Sequence, residues 1–297
     1  WIYDFAPHDV GTYPACTGQV YGLNEKYCSG TFRYGGVTTH FPIYLLPANS
    51  DIYAFDMQMP VEECANMLIM FCACYHYDND ISFFKNEKSL ADRWVEYLVK
   101  YGLKPENQLC TDDFAGHLKN NINLAIKATV GIACYSKLIL AIGDEKTAQK
   151  YRQIAEEFAS EITKFANKYS HLPITWDSDD DTFSLKYNFA FDKILGLNLF
   201  SQDILEKEVD CCIEKINEYG TPLDNRKGYT KSDWLMWVAS LTNDHNKQAK
   251  LISSLNKFLK CSENRIPFSD WYDTESGKFV GFRARSVQGG CFILSLG

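Results

Sequence analysis

Two kinds of helix alternate along most of this sequence. Helices of the first kind are apolar on nearly every side and are predicted over residues 62–75, 121–142, 187–199, 231–242 and 286–296. Helices of the second kind are amphipathic and highly charged and are predicted over residues 86–101, 145–168, 203–218 and 246–260. An all-round apolar helix has to be buried on every side, whereas an amphipathic helix covers a surface. The alternation predicts inner helices and outer helices that pair as hairpins.

The connections alternate in length as well. Short polar links follow the inner helices, at residues 77–80, 143–144, 201–203 and 243–245, whereas the return links are long. This order predicts an all-α fold, an (α/α) toroid of helical hairpins with its long loops at one face. We expect a single domain over residues 1–297, in which residues 1–58 are an irregular segment over that face. The helix pattern begins and ends inside a hairpin, so we expect a toroid incomplete at its N-terminal side, in a fragment of a longer chain.

The amino-acid composition argues against several classes of function. The apolar fraction of 46% excludes disorder, and the net charge of -8 argues against a nucleic-acid partner. No apolar run approaches the roughly 18 residues of a membrane span, so no membrane partner is expected. The eleven cysteines show no zinc-ligand spacing and are interpreted mainly as reduced core thiols. Without a glycine-rich phosphate loop or a His-x-x-x-His pair, we expect no cofactor and no metal.

Five carboxylates are the candidate catalytic residues. They lie in the long loops or at the starts of inner helices, where neighbouring charges can push two acids to different pKa values, as acid–base chemistry requires. They are Glu62, Glu63, Asp112, Asp113 and Asp233. Structural alternatives stand beside two of them: Glu62 fits a helix-capping role equally well, and Asp233 could stabilise the start of its helix.

The candidate substrate-binding residues lie in the same loops. Basic groups could hold a carboxylate through charge-assisted hydrogen bonds, and aromatic rings beside an aspartate suit the apolar faces and hydroxyls of sugars. The basic candidates are Lys231, Arg283 and Arg285. The other candidates are Tyr187, Asn188, Trp234, Asp270 and Trp271.

Six motifs resemble the glutaminase A family of fungi and bacteria. They are Met59–Glu63, Cys110–His117, Asp192–Phe200, Tyr229–Trp234, Ser269–Thr274 and Arg283–Gly290. The resemblance implies a six-hairpin toroid akin to that of several glycoside hydrolases, preceded in the full-length chain by a β-rich domain. It also implies hydrolysis of L-glutamine to L-glutamate and ammonia, often by secreted enzymes. The chain has no Asn-x-Ser/Thr sequon, so its compartment stays open.

Three hypotheses of function follow. In a glutaminase, Asp112 or Asp113 together with Glu63 would transfer protons or activate water, and Arg283 or Arg285 would bind the α-carboxylate of glutamine. In an inverting glycoside hydrolase, two of the five carboxylates would stand about 6.5–9.5 Å apart across a water. A non-catalytic carbohydrate-binding or scaffold protein would instead leave its acids paired with basic residues. The expected substrate is thus a small molecule, glutamine or a sugar.

Overall fold

The structure is a computed structural model that describes residues 60–108, 110, 116–262 and 268–296. The predicted irregular segment 1–58 lies outside the described residues, as do Asp112 and Asp113.

Within those ranges the chain contains nine α-helices, three β-strands and one 3₁₀ helix. The α-helices are α1 (Pro60–Asp78), α2 (Ser82–Asn86), α3 (Lys88–Tyr101), α4 (Ile122–Ala141), α5 (Glu145–Ala166), α6 (Phe189–Ile194), α7 (Gln202–Glu214), α8 (Ser232–Ala239) and α9 (His245–Cys261). The strands are β1 (Tyr229–Lys231), β2 (Ser269–Asp273) and β3 (Phe279–Arg283), and the 3₁₀ helix η1 spans Ser286–Ser295.

Contacts between Cα atoms divide the chain into two compact units. The first unit consists of Trp1–Asn120 and Lys127–Ile154, and the second of Asn121–Ile126 and Ala155–Gly297. The helices α4 and α5 contribute residues to both units.

In the first unit, α1 packs against α3 and approaches α4 closely. Pro60 is the first residue of α1, where the missing proline N–H costs no hydrogen bond. A Cβ on Gly131 of α4 would lie 3.0 Å from the Cα of Ala65, so a glycine is what allows this approach. Phe71, Phe84 and Trp94 fill the core beside these helices. The order of inner and outer helices agrees here with the prediction.

By length and composition, α4 is the one described helix that could cross a membrane. The expectation that no apolar run approaches the length of a membrane span was therefore too strict. This helix contains two lysines, Lys127 and Lys137, and is still long and apolar enough to cross a membrane. However, 83% of its most apolar window is buried inside the protein, as is usual for a core helix. One such helix is weak support for a membrane span.

In the second unit, the amphipathic helices α7 and α9 pack near α8. The carboxylate of Asp244 accepts hydrogen bonds from the backbone N–H of Asn246 and of Lys247, at 2.8 and 3.4 Å, and so caps the start of α9. The ring of Phe258 on α9 stacks on Tyr272 of β2, with 3.7 Å between the ring centroids. These contacts bury the apolar face that the sequence pattern predicts for α9.

Two inner helices differ from their predictions. The helix predicted over 187–199 is only six residues long, because Gly196 and Asn198 adopt positive φ angles of 61° and 55°. The carboxylate of Asp192 then accepts hydrogen bonds from the backbone N–H of Leu199 and of Phe200, at 3.0 and 3.2 Å. The helix predicted over 231–242 likewise begins at Ser232 and ends at Ala239.

For the last inner helix, over 286–296, the prediction was wrong both in the type of helix and in its burial. The segment forms the 3₁₀ helix η1, in which Ile293 is the one buried residue and Phe292 is 72% exposed. Gly289 and Gly290 disfavour an α-helix. A Cβ on Gly290 would lie 2.7 Å from Nε1 of Trp237, so this position accommodates no side chain.

A small antiparallel sheet joins two of the predicted long loops, in the order β1–β2–β3, with β2 and β3 in the same loop. In its register Tyr229 pairs with Asp273, Thr230 with Tyr272 and Lys231 with Trp271. A bulge lies between Trp271 and Tyr272, where β2 pairs with β3. The sheet, which the sequence analysis did not predict, fixes Lys231 and the residues around Trp271 on neighbouring strands.

Candidate functional site

The first turn of α1 contains two buried glutamates. The backbone N–H of Val61 donates to Oε1 of Gln108 at 3.0 Å, which satisfies one of the free N–H groups at the start of this helix. Glu62 and Glu63 follow, and they are 1% and 3% exposed. The positive end of the helix dipole favours negative charge at these positions. Two of the five predicted carboxylates therefore lie side by side inside the first unit.

Lys127 of α4 lies against this turn. Its side chain is 4% exposed, its Nζ forms an ion pair with Oε1 of Glu62, and it donates a hydrogen bond to Oδ1 of Asn66 at 3.0 Å. Glu62 and Asn66 are four residues apart and share one face of α1, so a single ammonium group can bridge them. We call Glu62, Glu63, Asn66 and Lys127 the Glu62 cluster. Its geometry shows that Glu62 is engaged by a cation from another helix.

Glu63 differs from its neighbour in its environment. Its Oε1 is buried and has no hydrogen-bond partner among the described residues. Burial, and secondarily the charge of Glu62, raise the pKa of Glu63 well above its ordinary value, while Lys127 and Asn66 lower it by less. The two adjacent carboxyls thus differ, because Glu62 is ion-paired and Glu63 has a raised pKa. Such a difference is the arrangement expected of an acid–base pair.

A second charged cluster lies in the second unit, where β1 meets β2. Lys231 and Asp270 are 1% and 0% exposed, and Nζ of Lys231 forms an ion pair with Oδ2 of Asp270. Arg285 contacts the same carboxylate with two groups, Nε at 3.2 Å from Oδ1 and Nη2 at 2.5 Å from Oδ2. Oδ1 of Asp233 lies 3.5 Å from Nζ of Lys231. We call these four residues the Lys231 cluster.

Asp233 is the acid of this cluster that lacks close partners. It lies in the first turn of α8, is 3% exposed, and its Oδ1 accepts no hydrogen bond within the described ranges. Burial is the main cause that raises its pKa, and Asp270 adds to the effect, whereas Lys231 opposes it. The two acids of the Lys231 cluster therefore differ in the same way as those of the Glu62 cluster. Asp270 forms close ion pairs, whereas Asp233 has a raised pKa.

Aromatic side chains surround the Lys231 cluster. Trp234 is 5% exposed and stacks on Tyr187, with 4.5 Å between ring centroids and an interplanar angle of 11°. Nζ of Lys231 lies 5.1 Å from the centroid of the Trp234 ring, within the range of a cation–π interaction. Trp271 lies 5.2 Å from Phe282, which is 39% exposed. Of the two predicted tryptophans, Trp271 is the more accessible.

The remaining predicted residues have separate environments. The exposed guanidinium of Arg283 lies 3.9 Å above the ring of Phe279, whereas Arg285 is partly buried against Asp270. Asn188 is buried, and its Nδ2 donates to the backbone oxygen of Asn123 at 2.9 Å. In the part of the chain that the structure describes, no three His, Cys, Asp or Glu residues are arranged to hold a metal ion.

Two members of the Glu62 cluster, Lys127 and Asn66, were not predicted as site residues. The signal for Lys127 was present, because it is a lysine in the middle of a helix that is otherwise apolar. The signal for Asn66 was its position four residues after Glu62, one turn along the same helix. Neither residue shows its partner from sequence alone, because the contact joins α1 to α4.

Comparisons with known proteins give the chain a family. A family model described as the Glutaminase A six helical-hairpin domain matches residues 1–295. The protein named Glutaminase A from Aspergillus oryzae is 31% identical over 279 residues, which cover 91% of this chain and 39% of that protein. A protein named Probable glutaminase from Arthroderma benhamiae is 29% identical over 235 residues, covering 67% of this chain and 27% of that protein. The chain thus spans well under half the length of either relative.

Proposed function

The chain belongs to the glutaminase A six helical-hairpin family, and on that premise we propose that the protein containing it hydrolyses L-glutamine to L-glutamate and ammonia. Family membership confirms the resemblance found in the sequence and the predicted all-α fold of helical hairpins. The names of the two relatives support a glutaminase-like hydrolase. Because the chain covers only part of each relative, the activity is proposed for the full-length protein.

The observation that carries this proposal is the buried carboxyl of Glu63 beside the ion-paired Glu62: Oε1 of Glu63 has no hydrogen-bond partner among the described residues, and burial raises the pKa of this group. Hydrolysis of an amide needs an acid that protonates the leaving nitrogen. We assign this role to Glu63. The oxygen of water bonds to the carbonyl carbon, the C–N bond breaks, and the nitrogen takes the Glu63 proton and departs as ammonia. A base accepts the proton that water loses and then passes it to the released ammonia, which becomes ammonium, and the new carboxylic acid returns a proton to Glu63.

Asp112 and Asp113 stay the proposed bases on the strength of the sequence alone. They are adjacent acids in a predicted loop, and the sequence around them has no turn signature that would explain them. We expect Asp112→Asn to abolish ammonia release without unfolding the protein, as judged by circular dichroism. Full retained activity in both Asp112→Asn and Asp113→Asn would remove this pair from the proposal.

The test of the main assignment is ammonia release from L-glutamine by the full-length protein and its Glu63→Gln variant. A glutamine at position 63 keeps the shape but has no proton to give, so we expect kcat to fall by about 10²–10⁴-fold. Glu208→Gln is the matched control, because Glu208 is another buried glutamate with a raised pKa, but it lies in the second unit and accepts a hydrogen bond from the backbone of Leu172. Equal activity of the two variants would refute the role of Glu63.

For the binding of a carboxylate we propose Arg285 ahead of Arg283. The guanidinium of Arg285 is fixed in orientation by its two contacts with Asp270 and by the ring of Phe282, 3.7 Å away, and its remaining N–H groups are available to a ligand. Arg283 is exposed and its described contact is with an aromatic ring. Lys231 supports this role by sharing the charge of Asp270.

The second candidate function is glycoside hydrolysis of the inverting type. The observation in its favour is the Lys231 cluster, where Asp233 is prone to hold a proton, Asp270 is ion-paired, and the accessible Trp271–Phe282 pair could stack on a sugar. Release of reducing sugar from a glycan panel, run beside the ammonia assay, separates the two functions. Sugar release without ammonia would favour the glycosidase, and inactivity in both assays would favour a scaffold or binding protein.

A further inference from the structure

Two buried cysteines face each other where α1 meets α4. Cys72 of α1 and Cys134 of α4 are both 0% exposed, both are reduced thiols, and their side chains are hydrogen-bonded to each other. We propose that they are a disulfide-forming pair, which a low-molecular-weight disulfide such as oxidised glutathione converts from two thiols into a covalent link between the two helices. The inference goes beyond the proposed function, because it concerns oxidation of the protein and not turnover of a substrate.

The contact between the two helices runs past both cysteines. The Glu62 cluster joins the start of α1 to α4, and Nζ of Lys137 on α4 lies 3.4 Å from Nδ1 of His76 near the end of α1. Residue numbers rise on both helices from the first contact to the second, so the helices run in the same direction here. Cys72 and Cys134 each lie between these two contacts in their own helix.

The spacing of the contact residues places both cysteines on the facing sides of the helices. Cys72 follows Ala65 by seven residues and Cys134 follows Lys127 by seven, and residues seven apart lie on the same side of a helix. A Cβ on Gly131 would lie 3.0 Å from the Cα of Ala65, so the two backbones approach closely. Close backbones are what a disulfide requires, since it spans only about 4.4–6.8 Å between Cα atoms. Bond formation therefore shortens a contact that already exists.

Cys72 is the thiol that we expect to react first. Its hydrogen bond with Cys134 is the main cause that lowers its pKa, and the charge of Lys137 acts in the same direction, whereas burial opposes them. In contrast, burial raises the pKa of Cys211 and of Cys212 to about 12. The thiolate is the nucleophile of thiol–disulfide exchange, so Cys72 is the better nucleophile of these three buried cysteines.

The exchange proceeds in two steps. The Cys72 thiolate attacks one sulfur of oxidised glutathione, the S–S bond breaks, and one glutathione leaves as a thiolate that takes up the proton lost by Cys72. The Cys134 thiolate then attacks the Cys72 sulfur, and the second glutathione leaves and takes up the proton lost by Cys134. Two protein thiols are oxidised, and one disulfide is reduced to two glutathione thiols. Because both sulfurs are buried, we expect the exchange during folding or local opening.

The test is to refold the reduced, unfolded full-length protein in a buffer of reduced and oxidised glutathione. Unreacted thiols are then alkylated, and the protein is digested without reduction and mapped by mass spectrometry. We expect two peptides linked through Cys72 and Cys134, a link that is absent from Cys72→Ser and from Cys134→Ser. Cys64→Ser is the matched control, because Cys64 is another buried cysteine of α1, and it should keep the link.

A second measurement needs no refolding. The same peptide map of the full-length protein purified from an oxidising compartment should contain the same link. The linked protein should also melt several degrees higher than Cys72→Ser, because the link closes a long loop of the unfolded chain. Folded protein in which both cysteines are alkylated, or are linked to other cysteines, would overturn the proposal. Neither measurement uses ammonia release, so a failure of the glutaminase function would leave this result standing.

Discussion

The stability of the second unit should depend on pH in part through the carboxyl of Glu208. This side chain is 4% exposed, and its Oε1 accepts a hydrogen bond from the backbone N–H of Leu172 at 2.7 Å. Burial raises its pKa from 4.5 to about 7, against the opposing effects of Lys186 and of the Leu172 hydrogen bond. The folded protein therefore binds this proton more tightly than the unfolded chain does.

The sign and the size of the effect follow from this difference. Because the unfolded chain releases the proton at lower pH, the free energy of unfolding falls as pH rises from 4.5 to about 7 and is then constant. The shifted pKa of Glu208 therefore lowers the free energy of unfolding by about 1 kcal/mol at pH 5 and by about 3 kcal/mol at pH 8, at 1.36 kcal/mol for each pKa unit. Glu208→Gln keeps the shape and the acceptor oxygen but cannot ionise, so it should avoid this cost.

The assay is thermal unfolding of Glu208→Gln and the unaltered protein at pH 5 and pH 8. We expect the variant to gain little at pH 5 and to melt several degrees higher at pH 8, since 1 kcal/mol corresponds to roughly 2–4 °C in a domain of this size. Glu157→Gln, which removes an exposed glutamate from α5, is the control for the change in net charge. The reasoning would be wrong if Glu208→Gln had the same melting temperature difference at both pH values.

Three further predictions concern packing and charge. Lys231→Met should destabilise the protein by about 1.5–3 kcal/mol in urea unfolding, because the buried Asp270 loses one of its two cations and keeps Arg285; addition of Asp270→Asn should recover part of the loss. Gly131→Val should lower the free energy of unfolding in urea by about 1–3 kcal/mol, because the valine side chain would meet the backbone of α1. Gly289→Val, which has open space around it, should cause no such loss. Asp244→Ala should cost about 1 kcal/mol by uncapping α9, measured by the same unfolding, and no change would contradict the cap.

Much of the helical order was predictable because its causes are local. The apolar run of α4 and the charged, amphipathic pattern of α5 lie within single stretches of sequence, and the structure has both helices at the expected positions. The shortening of α6 had a visible local cause too, since Gly196 and Asn198 are residues that tolerate positive φ. The periodicity of the surrounding apolar residues had obscured that signal.

The sheet was missed because its causes are not local. β1 is three residues long, and β2 pairs with it from about forty residues further along the chain. Strands this short, in loops rich in Gly, Asp and Tyr, show too little alternation to be recognised. The contact that places Asp270 against Lys231 therefore depended on a pairing that the sequence did not reveal.

The sequence predicted which residue types form the candidate site, but it did not predict which of them form ion pairs. Glu62, Glu63 and Asp233 were chosen because acids gather at the starts of inner helices. Which acid forms an ion pair depends on Lys127, which is 65 residues from Glu62 in sequence and contacts it only in the fold. Ion pairing and burial are properties of the assembled cluster, so they become visible only with the structure.

The unequal sharing of cations in the Lys231 cluster has a calorimetric consequence. Asp270 is held by two cations, whereas Asp233 has only a 3.5 Å ion pair and a raised pKa. An anionic ligand bound at this cluster would make Asp233 take up protons from the solution, and a cationic ligand would make it release them. The heat of binding should then change with the ionisation enthalpy of the buffer. The sign of that change reports the charge that the ligand presents to Asp233, before its chemical identity is known.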